Sequence, residues 1–228
     1  MANLPTSLNF IPLLCLILIT PSTFTKSIIA EEQISRINPF ACSNTIKSCT
    51  SVLYHHNSLD KESISTHYNV SPSDIYPISR NNVNNTKQDY LIEVPCSCKD
   101  VNGTIGYFYE TPYKLQTNDD SFATVSIETY SGQAWRVGGE ERSYKAGENV
   151  AMFLLCGCVG NSETSPLVTT YTVQPEDTLQ SIAGLLSSQV GDILRLNPYL
   201  NQTQGFVDVG WLIYVPMNQN QGFCRHEL

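Results

Sequence analysis

The chain has 228 residues, 15% of which are charged, and a formal net charge of −8 at pH 7. An acidic chain without a cluster of lysine and arginine is poorly suited to bind nucleic acid or an anionic membrane, which leaves uncharged polar partners open. This length fits one large domain or several small ones.

An apolar run at residues 10–20 is too short to span a bilayer comfortably, and small residues follow it. The pattern predicts a signal peptide over residues 1–26, with cleavage between Ser22 and Ala30, and hence an exported mature chain. An ordinary buried helix is the alternative. The polar residues 31–41 then predict a disordered or tethered arm.

The first segment, residues 42–95, predicts a strand, two short helices and a closing strand. Ile64 and Tyr68 lie at helical spacing, which supports the first of the two helices. In chain order the predicted elements are a strand at 51–54, helices at 59–68 and 70–75, and a strand at 90–95.

The middle segment, residues 105–155, predicts a strand, one helix and an apolar strand. Asp119 or Asp120 is the predicted helix cap, and Val125 and Ile127 are predicted to point inward. A glycine-rich stretch follows where a second helix would be expected, and glycine disfavours a helix there. The predicted elements are a strand at 106–113, a helix at 122–130 and a strand at 150–155.

The third segment, residues 167–217, predicts a strand, two helices and a strand. Asp177 or Thr178 can cap the first helix, and Pro198 ends the second because proline removes a hydrogen-bond donor. The predicted elements are strands at 168–173 and 211–215 and helices at 179–186 and 190–197. Three segments of roughly fifty residues indicate a repeat.

Two Cys-x-Cys pairs lie between these segments. Bonding within such a pair would close a strained ring, so each cysteine is expected to bond a distant partner. Zinc is the competing interpretation, but zinc sites favour wider ligand spacing and a reducing compartment. We therefore expect disulfides, no metal and no cofactor among the cysteines beyond the signal peptide, which are Cys42, Cys49, Cys96, Cys98, Cys156, Cys158 and Cys224.

Four Asn-x-Ser/Thr sequons accompany the predicted signal peptide. A single sequon carries little weight, but four beside a signal peptide predict a secreted glycoprotein. They begin at Asn69, Asn84, Asn102 and Asn201.

The third segment resembles a LysM domain. The resemblance is carried by a tyrosine-containing strand, the helix start Pro175-Glu-Asp-Thr-Leu-Gln-Ser-Ile-Ala183, the pair Asn197-Pro198, and Gly210-Trp-Leu-Ile-Tyr-Val-Pro216. Glu176 stands where the family usually has glycine, and Trp211 stands where glutamine is common.

Nearly the whole mature chain, from Cys42 to Met217, resembles plant LysM receptor ectodomains. The Leu154-Leu-Cys-Gly-Cys158 segment, the irregular first and middle segments and residues 206–217 are most similar to the legume exopolysaccharide-receptor subgroup. This resemblance implies an α+β protein of three small modules, βααβ or degenerate variants, tied by disulfides into a compact cloverleaf. We call residues 42–95, 105–155 and 167–217 the first, middle and third modules. The first is divergent and the middle one has a degenerate second helix. The implied disulfides are Cys42–Cys98, Cys49–Cys158 and Cys96–Cys156, which leaves Cys224 over.

The implied function is that of a non-enzymatic, carbohydrate-binding ectodomain that recognises a microbial exopolysaccharide or related surface polysaccharide in plant symbiosis or immunity. Its partners would be that glycan and a membrane receptor kinase, and we expect neither nucleic-acid binding nor membrane insertion. Residues 218–228 depart from the family and contain no apolar run, which predicts a soluble, extracellular form without the kinase. A chitin-oligomer receptor of the same architecture, a scaffold that contacts only proteins, and a cell-wall hydrolase are the alternatives.

Sugar binding in LysM domains uses a groove between the strand-to-helix loop and the helix-to-strand loop, with polar groups for hydroxyls and apolar faces for rings. Trp135 is either a ligand contact or a packed residue, and Tyr199 either stacks on a sugar or belongs to the core. A glycan on Asn201 can obstruct this edge, and we expect the histidines to be surface residues. The candidate contacts are Gln174, Pro175, Glu176, Asp177, Thr178 and Tyr199 in the third module, and Asn118, Asp119, Trp135 and Arg136 in the middle module.

Overall fold

A computed structural model describes residues 38–56, 59–80, 88–118, 120–136, 145–160 and 166–217. The predicted signal peptide and C-terminal tail lie outside these ranges. The described strands are β1 (Ser48–His55), β2 (Ile75–Ile78), β3 (Asp89–Val101), β4 (Thr104–Lys114), β5 (Asn149–Leu155), β6 (Leu167–Thr172) and β7 (Leu212–Met217). The helices are α1 (Lys61–Tyr68), α2 (Phe122–Tyr130), α3 (Leu179–Leu185) and α4 (Val190–Leu196), with 3₁₀ turns at Pro72–Asp74 and Pro198–Asn201.

The described strands form one sheet that runs through all three modules, in the order β5-β4-β3-β1-β6-β7, with β2 also paired to β3. Neighbouring strands are antiparallel except β1 and β6, which pair in parallel at Val52 with Thr169 and Leu53 with Thr170. The third module therefore joins the rest of the sheet through a short parallel contact. The predicted α+β class is confirmed.

The first module departs from its predicted second helix. Ser71 accepts a hydrogen bond from the amide of Ser73 at 3.3 Å, but Pro72 starts only a single 3₁₀ turn. The chain then enters β2, whose residues pair with β3 up to Ile78 opposite Asp89. Sequence periodicity missed this strand because four residues are too few to show alternation.

The middle module has a strand, one helix and a strand, but the predicted cap and inward face were partly wrong. Ser121, not an aspartate, caps α2 by accepting from the amide of Thr124 at 3.0 Å. Asp120 instead accepts from the amide of Gln116 at 2.7 Å, and Asp119 lies outside the described residues. Val125 is buried as predicted, whereas Ile127 is 41% exposed.

The third module follows the predicted strand, two helices and strand, with bounds that shift by one or two residues. Thr178 caps α3 through a reciprocal pair: its hydroxyl accepts from the amide of Ser181 at 3.1 Å, and the Ser181 hydroxyl accepts from the amide of Thr178 at 2.9 Å. Such capping boxes satisfy two amides that a helix start leaves free.

Among the described residues, two disulfides join the first module to the two Cys-x-Cys pairs, and a third joins the two pairs to each other. They are Cys42–Cys98, Cys49–Cys158 and Cys96–Cys156, the same pairs that the family resemblance implies. The sulfur atoms of Cys49, Cys96 and Cys158 lie within 4.8 Å of one another, which resembles a metal site. Each of these sulfurs is bonded to another sulfur, so none is available as a thiolate ligand.

Pro39 and Phe40 are half-buried and packed, so this part of the predicted arm is tethered and not disordered. The Phe40 ring contacts Tyr214 with centroids 5.0 Å apart, and the Phe40 carbonyl accepts from the amide of Tyr107 at 2.9 Å. This segment fits because Gly106 has no side chain: a Cβ there would lie 2.4 Å from Pro39 Cβ. The segment therefore ties the middle module to the third.

Candidate functional site

The strand-to-helix loop of the third module, residues 174–178, presents its tip to solvent. Pro175 and Glu176 are exposed, and Glu176 has a φ of 68°. This left-handed conformation disfavours a side chain and favours glycine, which accounts for the glycine that the family usually has here. The fold thus accepts glutamate at some cost in strain.

Asp177 holds this loop from inside and is not available to a ligand. Its carboxylate accepts from the Gln174 amide and from the Tyr171 hydroxyl, each at 2.7 Å, and it forms an ion pair with Arg80 of the first module. Its side chain is only 4% exposed. Of the two predicted caps, Asp177 and Thr178, the structure shows Thr178 in that role. The burial of Asp177 argues against direct contact with a ligand.

Two stacked tyrosines support the loop from below. The rings of Tyr54 and Tyr171 have centroids 4.3 Å apart, and the Tyr54 hydroxyl donates to Asp89 Oδ2 at 2.7 Å. Burial raises the pKa of both tyrosines far above the ordinary value, so both hydroxyls stay protonated and act as donors. Burial also raises the pKa of Asp89. Tyr54 and Asp89 of the first module therefore support the strand-to-helix loop of the third module directly.

Asn197, which directly follows α4, is buried and has a structural role. Its side-chain amide donates to the carbonyls of Ile193 and Tyr214 at 2.7 Å, and its Oδ1 accepts from the Tyr214 amide at 2.8 Å. Asn197 therefore pairs with the outer edge of β7 as a neighbouring strand would. This edge is further closed by Pro216, which has no N–H to offer.

Tyr199 is half-buried and contributes to the same closure. Its hydroxyl donates to the Leu212 carbonyl at 2.7 Å, and its ring lies 6.4 Å from that of Trp211 in an edge arrangement. Its polar end is thus occupied by the protein, so it is a weaker candidate for sugar stacking than an unengaged aromatic ring.

Residues 205–211 lie alongside the strand-to-helix loop and form the facing wall. The amide of Val173 donates to the Trp211 carbonyl and the amide of Gly210 donates to the Val173 carbonyl, each at 2.8 Å. At the other end, a Cβ on Gly205 would lie 3.5 Å from Leu179 Cδ1. Both ends of the two segments are therefore in contact.

The sequence interpretation missed the most exposed apolar side chains on this wall. Phe206 is 75% exposed and Val209 is 51% exposed. Phe206 closes a tight turn, in which its amide donates to the Thr203 carbonyl at 3.0 Å and its carbonyl accepts from the Thr203 hydroxyl at 2.8 Å. Apolar residues, one of them aromatic, in a loop rich in glycine and glutamine were the available signal.

The candidate residues of the middle module occupy different environments. The Trp135 ring is half-buried and lies 6.4 Å from that of Phe108, in the apolar cluster between the middle and third modules. Asn118 is exposed, and its side-chain carbonyl accepts from the amide of Ala146 at 2.9 Å. Arg136 is half-buried, and Asp119 lies outside the described residues. Trp135 is therefore a packed residue whose side chain remains partly accessible to solvent.

Three of the four sequon asparagines are described, and all three are exposed. Asn69 ends α1 with a φ of 50°, Asn102 has a φ of 50° in the β3–β4 turn, and Asn201 ends the second 3₁₀ turn. Asn84 lies outside the described residues. Each described sequon can thus carry a glycan without disturbing the core.

His55 is buried, which corrects the expectation of surface histidines. Its Nδ1 lies 3.1 Å from the Tyr68 hydroxyl and 3.3 Å from the Ser131 hydroxyl, and the residue is 0% exposed. Burial is the main cause that lowers the pKa of His55 to about 3. A buried neutral imidazole of this kind supports packing between the first and middle modules.

No helix in the described ranges is both long and apolar enough to cross a lipid bilayer.

Comparison with known proteins agrees with this architecture. Residues 171–216 match the family model of the LysM domain. A crystal structure of the ectodomain of a receptor-like kinase superposes with a TM-score of 0.58 at 20% identity, covering 80% of this chain and 98% of that one. The crystal structure of the LYK3 ectodomain gives a TM-score of 0.53 at 18% identity, covering 79% of this chain and 96% of that one. No curated protein matched. The third module therefore matches the LysM domain, and the chain is similar in fold to these two ectodomains.

Proposed function

We propose that this protein is an extracellular carbohydrate-binding receptor ectodomain that recognises a microbial exopolysaccharide or a related surface polysaccharide. Its binding site is the groove between the strand-to-helix loop, residues 174–178, and the facing wall, residues 205–211, of the third module. The observation that carries the proposal is the pair of facing walls in a LysM domain, with the exposed Phe206 ring on one and a rigidly held polar loop on the other.

The groove has the chemistry that an oligosaccharide needs. An aromatic face such as that of Phe206 covers the apolar face of a pyranose ring, while Gln174 and the exposed backbone around Pro175 supply hydrogen bonds to hydroxyl or N-acetyl groups. Glu176 and Asp208 are exposed on the two walls. Two carboxylates disfavour an anionic ligand, so we propose that an uncharged stretch of the glycan is bound.

An extracellular location fits the covalent structure. Disulfides persist in oxidising compartments, and the part of the chain that the structure describes has three of them together with exposed sequons at Asn69, Asn102 and Asn201. We propose that these sites and Asn84 are glycosylated. Signalling would then proceed through a membrane receptor kinase that contacts this ectodomain.

The test is equilibrium binding of the secreted, disulfide-intact protein to exopolysaccharide fragments, β-glucan fragments and chitin oligomers. Phe206→Ala is the main variant, and we expect it to weaken binding about two- to tenfold, since the loss of one stacking ring costs about 0.5–1.5 kcal/mol. Ile105→Ala is the matched control, because Ile105 is also a large apolar side chain, 66% exposed, on the β3–β4 hairpin. Its affinity should equal that of the unchanged protein.

Other binding results would assign a different ligand class, a different binding site or a different function. Binding to chitin oligomers alone would favour the chitin-receptor alternative. Loss of binding in Trp135→Ala with full binding in Phe206→Ala would assign the site to the middle module. Binding to none of the glycans would refute the proposed function and favour a scaffold that contacts proteins.

A further inference from the structure

We propose that Arg80, a residue of the first module, is a positioning residue for the strand-to-helix loop of the third module. Arg80 lies two residues beyond the end of β2, and its guanidinium forms an ion pair with Asp177. The two side chains are 15% and 4% exposed, so this pair is largely shielded from water. A contact between modules thus reaches the inside of the loop.

The guanidinium acts on two parts of the same loop. Its Nη2 group binds Asp177 Oδ1 and lies 3.5 Å from the Pro175 carbonyl at the exposed tip. The other carboxylate oxygen, Asp177 Oδ2, accepts from the Gln174 amide. Arg80 therefore neutralises the carboxylate that holds the start of the loop and also contacts its tip.

Arg80 follows β2, a strand that is held firmly in the sheet. β2 pairs with β3 residue by residue, from Ile75 opposite Ile92 to Ile78 opposite Asp89. Asp89 in turn accepts from Tyr54, which stacks on Tyr171, and Tyr171 donates to Asp177. Two separate routes, one ionic and one aromatic, thus connect the first module to the same carboxylate.

Removal of Arg80 would leave a buried carboxylate without its counter-charge. Such a group opens towards water, because an uncompensated buried charge is costly. The opening would release the Gln174 amide and widen the range of positions of Pro175 and Glu176. For ligand binding, which rests on the function proposed above, a less ordered loop must be ordered on binding and the complex dissociates faster.

The direct test is hydrogen exchange of the amides of Gln174 and Asp177 in the free protein, measured by NMR. Arg80→Met keeps the side-chain length and removes the charge, and we expect exchange at both amides to rise at least about tenfold. Amides of β1 and β3 should keep their rates. Arg195→Met is the matched control, since Arg195 is a 71% exposed arginine of the third module whose pair with Asp192 lies on the surface.

The second measurement is the rate at which an exopolysaccharide fragment dissociates from the full chain, with Arg80→Lys as a second variant. We expect Arg80→Met to raise the dissociation rate about tenfold with little change in the association rate, and Arg80→Lys to recover part of the effect because it restores charge without the planar fork. Unchanged exchange at Gln174 in Arg80→Met, or an equal rise at the strand amides, would overturn the proposal. Failure of the unchanged protein to bind any glycan would refute the proposed function instead, while the exchange data would still decide the role of Arg80.

Discussion

The first and third modules are closed by different chemistry. All three disulfides involve the first module or the Cys-x-Cys pairs that flank the middle one, and residues 167–217 contain no cysteine. The third module is instead closed by the Asn197 amide on β7, the Thr178–Ser181 capping box and the Arg80–Asp177 pair. Regular periodicity lets the third module form both helices, whereas the irregular modules depend on covalent links to compensate for smaller cores.

The largest expected effect tests the covalent side of this comparison. Cys49–Cys158 spans 109 residues, but the other two disulfides already shorten the connecting path to about a dozen residues, so its loss should lower the free energy of unfolding by about 3 kcal/mol. Urea unfolding of Cys49→Ala with Cys158→Ala measures this change. A loss near 5 kcal/mol, as expected for an isolated long loop, would contradict the shortened path.

The next effect tests the third module. Asn197→Ala removes three hydrogen bonds and leaves the Tyr214 amide and carbonyl at the edge of β7 without this partner, so we expect a loss of about 2–3 kcal/mol. Thermal and urea unfolding measure it. Asn149→Ala, at an exposed asparagine that starts β5, is the control and should change the free energy of unfolding by less than about 0.5 kcal/mol. Equal losses of unfolding free energy in both variants would contradict the role of Asn197 in closing the edge of β7.

A third prediction concerns acid and the interface of the first and middle modules. The pKa of His55 is about 3 in the folded protein and ordinarily 6.5, so below pH 6.5 the unfolded chain binds a proton that the folded one does not. The stability that neutral His55 contributes is therefore fully present above pH 6.5. The free energy of unfolding falls as the pH decreases towards 3, and the loss is about 2 kcal/mol at pH 5. Urea unfolding across this range measures the slope.

His55→Gln is the variant that isolates this effect. It should flatten the dependence between pH 6.5 and 5, where His67, whose pKa burial also lowers, still contributes. An unchanged slope in His55→Gln would show that the acid sensitivity arises elsewhere.

The smallest expected effect on stability concerns Glu176, at the exposed tip of the strand-to-helix loop of the third module. Glu176→Gly should raise the free energy of unfolding by about 0.5–1 kcal/mol, because glycine adopts a φ of 68° without strain. Glu128→Gly, at an exposed position inside α2, should have the opposite sign and cost about 1 kcal/mol. Destabilisation by Glu176→Gly would mean that the glutamate side chain makes a stabilising contact that outweighs the strain.

Local signals explain what could be predicted along the chain. Apolar spacing, the Thr178 cap and Pro198 indicated both helices of the third module, since each of these depends on residues within a few positions of one another. The short strand β2 and the Ser121 cap were missed because their signals are weak or ambiguous: four residues show no clear period, and three candidate caps stand side by side.

The sequence by itself determined the α+β class, the order of most elements and the capping of the third module, because these follow from periodicity and side-chain chemistry within short stretches. Only the tertiary structure decided that His55 is buried, that Asp177 faces inward to Arg80 ninety-seven residues away, and that Phe206 stands exposed beside the loop. Those outcomes depend on contacts between distant parts of the chain, and one sequence carries no local signal for which distant partner removes a side chain from water.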